Sequence, residues 1–189
     1  SQGLTMAHPR ELIRKQAVAV LLGATNAGAS VYASRVAPLI SNGWQSELPA
    51  IIVYTMDEAG EIFNQAPREY LRKVELVVEI HAEGNEALDD TLDTLARQVE
   101  RLLLMDDTLG ATVNDLQYLR SRMVLLDQSE HLTGACRLIF EASYLDRHPD
   151  DLFNETLPDF NTLGTEYSLD NAQPNPPDRA KTIIEDLNP

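Results

Sequence analysis

The stretch LPAIIVYT, residues 48–55, decides the fold. It is a nearly continuous apolar run, as expected of a central strand that is covered on both faces, and it predicts a strand over residues 50–56. The acidic residues 57–61 predict a turn, which residues 62–67 extend into a longer loop. Asp57, Glu58 and Glu61 cannot bury well, so we expect this loop to be mobile and to point toward a partner protein.

Downstream of this loop, apolar and polar residues alternate from residue 71, which predicts a half-buried strand. The side chains expected on its covered face are Val74, Leu76, Val78, Ile80 and Ala82. Those expected on its exposed face are Lys73, Glu75, Glu79 and His81, with His81 solvated.

Two amphipathic helices are predicted, one before these strands in the sequence and one after them. The first begins at Pro9, whose missing N–H suits the first helical turn, and stops at Gly23. The second follows the break Gly84-Asn85, where Asn85 is expected to cap the helix. Its apolar stripe, spaced by four and three residues, is Leu88, Leu92, Leu95, Val99 and Leu102.

A short strand is predicted at residues 31–36, followed by a loop at 38–47 that contains Trp44, the only tryptophan. Trp44 is either a packing anchor or an exposed aromatic at an interface, and the sequence leaves both open.

A hairpin is predicted near the end of the domain, with strands at residues 116–126 and 135–145 around a turn at 127–134. If the pairing is centred near Glu130, Arg120 lies opposite Glu141 and forms a cross-strand charge pair on the exposed face. The covered face then contains Cys136, Leu138, Phe140 and Ala142.

These elements predict an α/β protein of the α+β kind, a mixed or antiparallel sheet of about four to five strands packed against two main helices. Residues 6–145 are expected to form this domain, and residues 1–5 are expected to be vector residue ahead of it. Residues 146–189 are expected to form an acidic arm that contains several prolines. The arm should end in a short amphipathic helix that docks Ala180, Ile183, Ile184 and Leu187, the alternative being a flexible tail.

The net charge of −15 makes a direct nucleic-acid contact unlikely, because phosphate affinity requires clustered Lys and Arg. The arm is the more acidic part, with ten acids and three bases among its residues. No apolar run approaches the roughly 20 residues of a membrane span, so no membrane association is expected. Cys136 is the single cysteine, which excludes a disulfide within the chain and fits a reducing compartment.

No catalytic or cofactor-binding motif is present, and we expect no enzyme, no cofactor and no metal site. The four histidines are not spaced as metal ligands, and the acidic residues 146–151 lack the central glycine of a calcium loop. Function is therefore expected in surfaces and assembly. A hydrolase or a small-molecule-binding module is the alternative of another class.

The order of elements resembles the tail terminator proteins of long-tailed phages, the minor tail protein U family of lambda-like phages. The resemblance covers about residues 10–145. It is carried by the helix from Arg10, the strand 48–54 with its acidic continuation 55–61, the strand KVELVVEI at 73–80, the helix 88–104 and the hairpin ending CRLIFEASY at 136–144.

This resemblance implies a virion protein, assembled in the host cytoplasm, that forms a homo-oligomeric ring, most often a hexamer, at the head-proximal end of the tail. Such a ring stops polymerisation of the tail tube and joins the head, so the expected partners are the tube protein and a connector or neck protein. The acidic loop at 57–61 would then face the tail. Another neck or tail-tube protein is the alternative structural role. The long tail after Leu145 departs from the shorter members of the family.

Overall fold

A computed structural model of the chain describes residues 7–33, 47–84, 87–128, 131–147, 162–168 and 179–185. Within these ranges there are two helices, α1 (Pro9–Leu21) and α2 (Leu88–Leu104). The strands in the same ranges are β1 (Val31–Ala33), β2 (Ala50–Gln65), β3 (Arg68–Gly84), β4 (Asp115–Gln128), β5 (His131–Arg147), β6 (Thr162–Ser168) and β7 (Arg179–Glu185).

The chain forms two compact units, Ser1–His148 and Pro149–Pro189. In the first, five strands form one sheet in the order β1-β2-β3-β5-β4. β1 runs parallel to β2, and the other neighbours are antiparallel, so the sheet is mixed. The predicted α+β class, with a sheet of five strands and two helices, is confirmed. In the second unit, β6 and β7 pair antiparallel.

Both helices pack on one face of the five-stranded sheet, and together they enclose the core. α1 begins at the His8 cap, whose ring nitrogen accepts from the Arg10 backbone N–H, and Gly23 follows its end with φ of 72°. The helix residues in the core include Ile13, Ala17, Leu21, Leu88, Leu92, Leu95, Val99 and Leu103. Leu103 takes the buried position predicted for Leu102, which is only half-buried, because a straight helix turns once every 3.6 residues.

Alternate residues of the strands complete this core, as the alternation in the sequence predicts. β3 contributes Val74, Leu76, Val78, Ile80 and Ala82, and β5 contributes Cys136, Leu138, Phe140, Ala142 and Tyr144. Cys136 is a packed side chain of this core, and its burial raises the pKa of the thiol. The prediction for α2 differs in one detail, because its cap is Ala87, without a side-chain hydrogen bond, and Asn85 lies outside the described residues.

The predicted acidic turn at residues 57–61 is wrong, because β2 continues as a strand through it to Gln65. β3 begins at Arg68 and offers a hydrogen-bonding partner along this whole length, with Gln65 opposite Arg68. Pairing with a long neighbour therefore overrides the low strand propensity of Asp, Glu and Gly. The acidic residues appear instead at a register shift between Thr55 and Glu58.

The predicted hairpin of β4 and β5 exists, but its turn and register differ from the prediction. The strands extend to Gln128 and His131, so the turn is far shorter than residues 127–134. Arg120 lies opposite Ile139, and Glu141 lies opposite Gln117. The predicted Arg120–Glu141 pair is therefore wrong, because register is set by the side chains that enter the core and by a shift between Tyr118 and Arg120.

The predicted C-terminal helix is also replaced by a strand. Ala180, Ile183 and Ile184 lie in β7, opposite Tyr167, Gly164 and Leu163 of β6. An isolated helix of this length is marginal in water, whereas pairing with β6 satisfies the backbone groups. Leu187 lies outside the described residues, as does Trp44.

Candidate functional site

The face of the five-stranded sheet opposite α1 and α2, which we call the helix-free face, combines a small apolar centre with many charges. Val77 of β3 lies opposite Ile139 of β5, and Ile52 of β2 lies diagonally from Val77, and all three are almost fully buried. Around them the register places charged side chains of β3, β4 and β5. They include Glu75, Glu79, Arg120, Arg122, Arg137 and Glu141.

Glu79 of β3 is the centre of a hydrogen-bonded cluster on this face. Its Oε2 accepts from the Tyr54 hydroxyl at 2.8 Å and from Arg137 Nε at 3.0 Å. Its Oε1 lies 2.8 Å from Nε2 of His81. This last contact is short but does not have the geometry of a regular hydrogen bond.

The cluster strongly favours the ionised form of Glu79. Contact with His81, followed by hydrogen bonds from Tyr54 and Arg137, lowers the pKa of this carboxyl to about 2. Burial, together with the neighbouring Glu79 carboxylate, raises the pKa of Tyr54 to about 12. The prediction that His81 is solvated is wrong: only 8% of the residue is exposed, because it packs against Glu79 from an adjacent position on the same face.

The charges farther along this face are less evenly matched. Arg120 reaches across β5 to Glu75, with an N–O distance of 3.2 Å, and so takes Glu75 as its partner in place of the predicted Glu141. Arg122 lies directly opposite Arg137, a like-charge pair that destabilises a sheet. Glu79 neutralises Arg137, whereas Arg122 has no ion pair within the described part of the chain.

β4 ends the sheet on one side, and residues 118–123 of this strand, which we call the β4 edge, are all exposed. Three of them, Tyr118, Leu119 and Met123, are large hydrophobic residues, each about 40% exposed. Tyr118 also contacts the core through its ring, which meets Phe140 edge to face at 5.8 Å. A long, exposed edge with apolar side chains is a template for pairing with another chain.

The hairpin of β2 and β3 continues past the end of β1, and we call this part the hairpin arm: residues 56–65 of β2 and 68–73 of β3. β5 pairs with β3 here as far as Arg147, so the arm is the outer part of a three-stranded sheet. β1 pairs only with Ile51–Val53, so within the described residues the outer edge of the arm has no partner strand. Met56, Ile62 and Phe63 of the arm are exposed, Phe63 at 60%. Exposed apolar residues along one strand edge can mark a contact surface.

Glu58 fixes the base of the hairpin arm to the core. The Tyr144 hydroxyl donates a short hydrogen bond to Oε1, and Arg10 and Arg72 approach Oε2 at 3.6 and 3.8 Å. Burial and the Glu58 carboxylate raise the pKa of Tyr144. Arg72 in turn pairs with Asp146 at 2.9 Å, so this end of β2 is tied to α1, β3 and β5. The expected mobility of residue 58 is therefore not supported.

The predicted interaction residues thus separate into several places. Asp57 and Glu61 are exposed on the hairpin arm, whereas the Glu58 side chain is only 13% exposed and serves as an anchor. Arg120 and Glu141 share the helix-free face without pairing. Ile183 and Ile184 lie in the second unit, while Trp44 and Leu187 lie outside the described residues.

Sequence reasoning missed Phe63, Leu119 and Arg122 as surface residues. No local signal identifies Phe63, because its place in a strand depends on how far β2 pairs with β3. None identifies Arg122 either, because its exposure depends on β4 being the last strand of the sheet.

The described residues contain no group of three or more His, Cys, Asp or Glu side chains placed to hold a metal ion. No helix in those ranges is long and apolar enough to cross a bilayer. An open cleft of about 600 Å³ lies between the start of α1 and the segment before β4, with Pro9, Leu12, Val113 and Leu145 among its lining residues.

Comparison with protein-family models and with curated proteins finds no match to this chain.

Proposed function

We propose that this chain is the tail terminator of a long-tailed phage, a subunit whose ring caps the tail tube, stops its polymerisation and presents the surface to which the head is joined. The proposal starts from the resemblance in element order over residues 10–145. An α+β fold with two helices on one face of a mixed sheet is compatible with it.

The observation that carries the proposal is the hairpin arm. It continues β2 past the end of β1, it is anchored by Glu58, and its end exposes Ile62 and Phe63. Exposed apolar side chains on an anchored strand suit a contact with another protein better than contact with water. We assign Ile62 and Phe63 to the contact with the last ring of the tail tube.

A tube-elongation assay tests this assignment. Tube protein of the same phage is allowed to polymerise with and without the chain, and tube lengths are measured by negative-stain electron microscopy. A terminator shortens the tubes at amounts far below one chain per tube subunit, because one ring per growing end is sufficient. The terminator should also co-sediment with the tubes, and the micrographs should show it at the tube ends.

The variant Phe63→Ser should lose this arrest while it keeps the fold and the mass of the wild-type oligomer. Met105→Ser is the matched control, because Met105 is an apolar residue 76% exposed at the end of α2 and is not part of the hairpin arm. Unchanged tube lengths with the wild-type chain would remove the terminator function. Open-ended tubes formed by the chain alone would support the tail-tube alternative instead.

A further inference from the structure

We infer that the ring forms when the β4 edge of one subunit meets the outer edge of the hairpin arm of the next subunit, at residues 56–61, with Arg120 and Arg122 facing Asp57 and Glu61. The occupant of the exposed β4 edge is thus a second copy of the same chain. This inference deepens the proposed function and rests on it.

The β4 edge has the properties of one half of such a contact. All six of its residues are exposed on an outermost strand, and they combine apolar side chains with two arginines. The positive charge is unusual in a chain of net charge −15. Arg122 is placed opposite Arg137 at a cost to the subunit, and a partner carboxylate would remove that cost.

The outer edge of the hairpin arm has the complementary properties. Asp57 is exposed and has no ion pair within the described ranges. Glu61 is 65% exposed and approaches Lys73 only at 3.8 Å, a distance at which an exposed pair contributes little. Met56, also exposed, supplies an apolar side chain beside them.

The two edges also match in the face that carries their charges. Both belong to the same sheet. Glu61 shares a face with Lys73, which lies on the helix-free side with Glu75, and Arg120 and Arg122 lie on that side too. Sheets joined edge to edge keep their faces continuous, so the opposite charges would meet.

A contact between two different edges of identical subunits is head-to-tail, and repetition of it gives either a closed ring or an open filament. This property permits a decisive charge-reversal experiment. Arg122→Glu and Glu61→Arg each place like charges across every contact. Each variant should weaken self-association about tenfold or more, measured by sedimentation velocity and multi-angle light scattering over a concentration series at about 0.1 M salt.

Two recoveries are expected. The double variant, with both reversals in one chain, restores an opposite pair at every contact and should again form the wild-type oligomer. An equimolar mixture of the two single variants should also assemble, because each contact between unlike subunits contains an opposite pair. The two variant chains alternate around such a mixed ring, so native mass spectrometry should show rings that contain equal numbers of each variant chain.

Arg101→Glu and Asp93→Arg are matched controls with the same charge changes on the exposed surface of α2, and they should leave association unchanged. Thermal unfolding confirms that each variant folds. A wild-type oligomer that survives both single reversals overturns the edge-to-arm contact and leaves tube capping as a separate result. If the wild-type chain stays monomeric at every concentration, and also in the presence of the tail tube, both the inference and the ring on which it rests are overturned.

Discussion

The two faces of the five-stranded sheet are built from the same strands but are held in different ways. On the face covered by α1 and α2, side chains such as Leu95, Val99 and Phe140 are enclosed by other apolar groups. On the helix-free face, a small aliphatic centre around Val77 is surrounded by ion pairs and like-charge pairs. The first arrangement stabilises the subunit, and the second leaves charged side chains at the surface.

The contrast follows from the energies involved. Burying a large apolar side chain contributes about 1.5–3 kcal/mol, whereas an exposed ion pair contributes about 0–1 kcal/mol. Exposed charges on the helix-free face, apart from the largely buried Glu79 cluster, therefore add little to the stability of the subunit, although they can decide which surfaces associate. The following variants test this division, in order of expected effect.

Phe140→Ala should be the most damaging change. Phe140 is fully buried on the helix-covered face and contacts Tyr118, so its removal leaves a cavity and should lower the free energy of unfolding by about 3–5 kcal/mol. Urea unfolding followed by circular dichroism measures this loss. Leu104→Ala, at a position 41% exposed on α2, is the control and should cost under about 1 kcal/mol. Equal losses would contradict the division between the faces.

Glu79→Gln should have the largest effect among changes to the helix-free face. The introduced amide lacks the negative charge of the carboxylate that Arg137 and His81 contact. Its NH₂ group is itself a donor, so it cannot accept a hydrogen bond as the replaced carboxylate oxygen does. We expect a loss of about 1–3 kcal/mol at pH 7, again by urea unfolding. Glu141→Gln on the same face is the control, since Glu141 has no ion pair among the described residues. A silent Glu79 variant would show that the cluster is not structural.

The same variant predicts a dependence on pH. The pKa of Glu79 is lowered from 4.5 to about 2, so the native state favours the ionised form. Its contribution is therefore fully present above about pH 4.5 and is lost as the pH falls through 2. The lowering corresponds to about 3 kcal/mol at most, and to about 1–2 kcal/mol after solvent screening.

Urea unfolding of wild type and of Glu79→Gln at intervals from pH 7 to pH 2 measures this effect. The difference in unfolding free energy should stay constant above pH 5 and shrink below it. A difference that grows toward acid pH would reverse the sign and contradict the lowered pKa.

Arg122→Gln should have the smallest effect on the subunit, with the opposite sign. It removes the like-charge pair with Arg137, so the free energy of unfolding should stay the same or rise by up to about 0.5 kcal/mol, measured at a concentration where the chain is monomeric. Arg120→Gln is the comparison, because it removes the ion pair with Glu75 and should cost about 0.5 kcal/mol. A clear loss for Arg122→Gln would mean that this arginine serves the subunit itself.

The sequence predicted the helix-covered face well and the helix-free face poorly. Alternation over residues 74–82 and the stripe from Leu88 to Val99 identify buried side chains, because burial of apolar surface imposes a period of 2 on strands and 3.6 on helices. The helix-free face has no such constraint. Its contacts depend on which strands are neighbours and in what register, so the pairings of Arg120 with Glu75 and of His81 with Glu79 were not predicted.

The sequence by itself determined the class of the fold, the two helices, and the side chains that face them. Only the tertiary structure decided where β2 ends, which residue faces Arg120, and that β4 forms an exposed edge of the sheet. The physical reason is the range of the forces involved. Apolar periodicity is written within a few residues of one element, whereas strand length, register and edges depend on backbone hydrogen bonds between segments far apart in the chain.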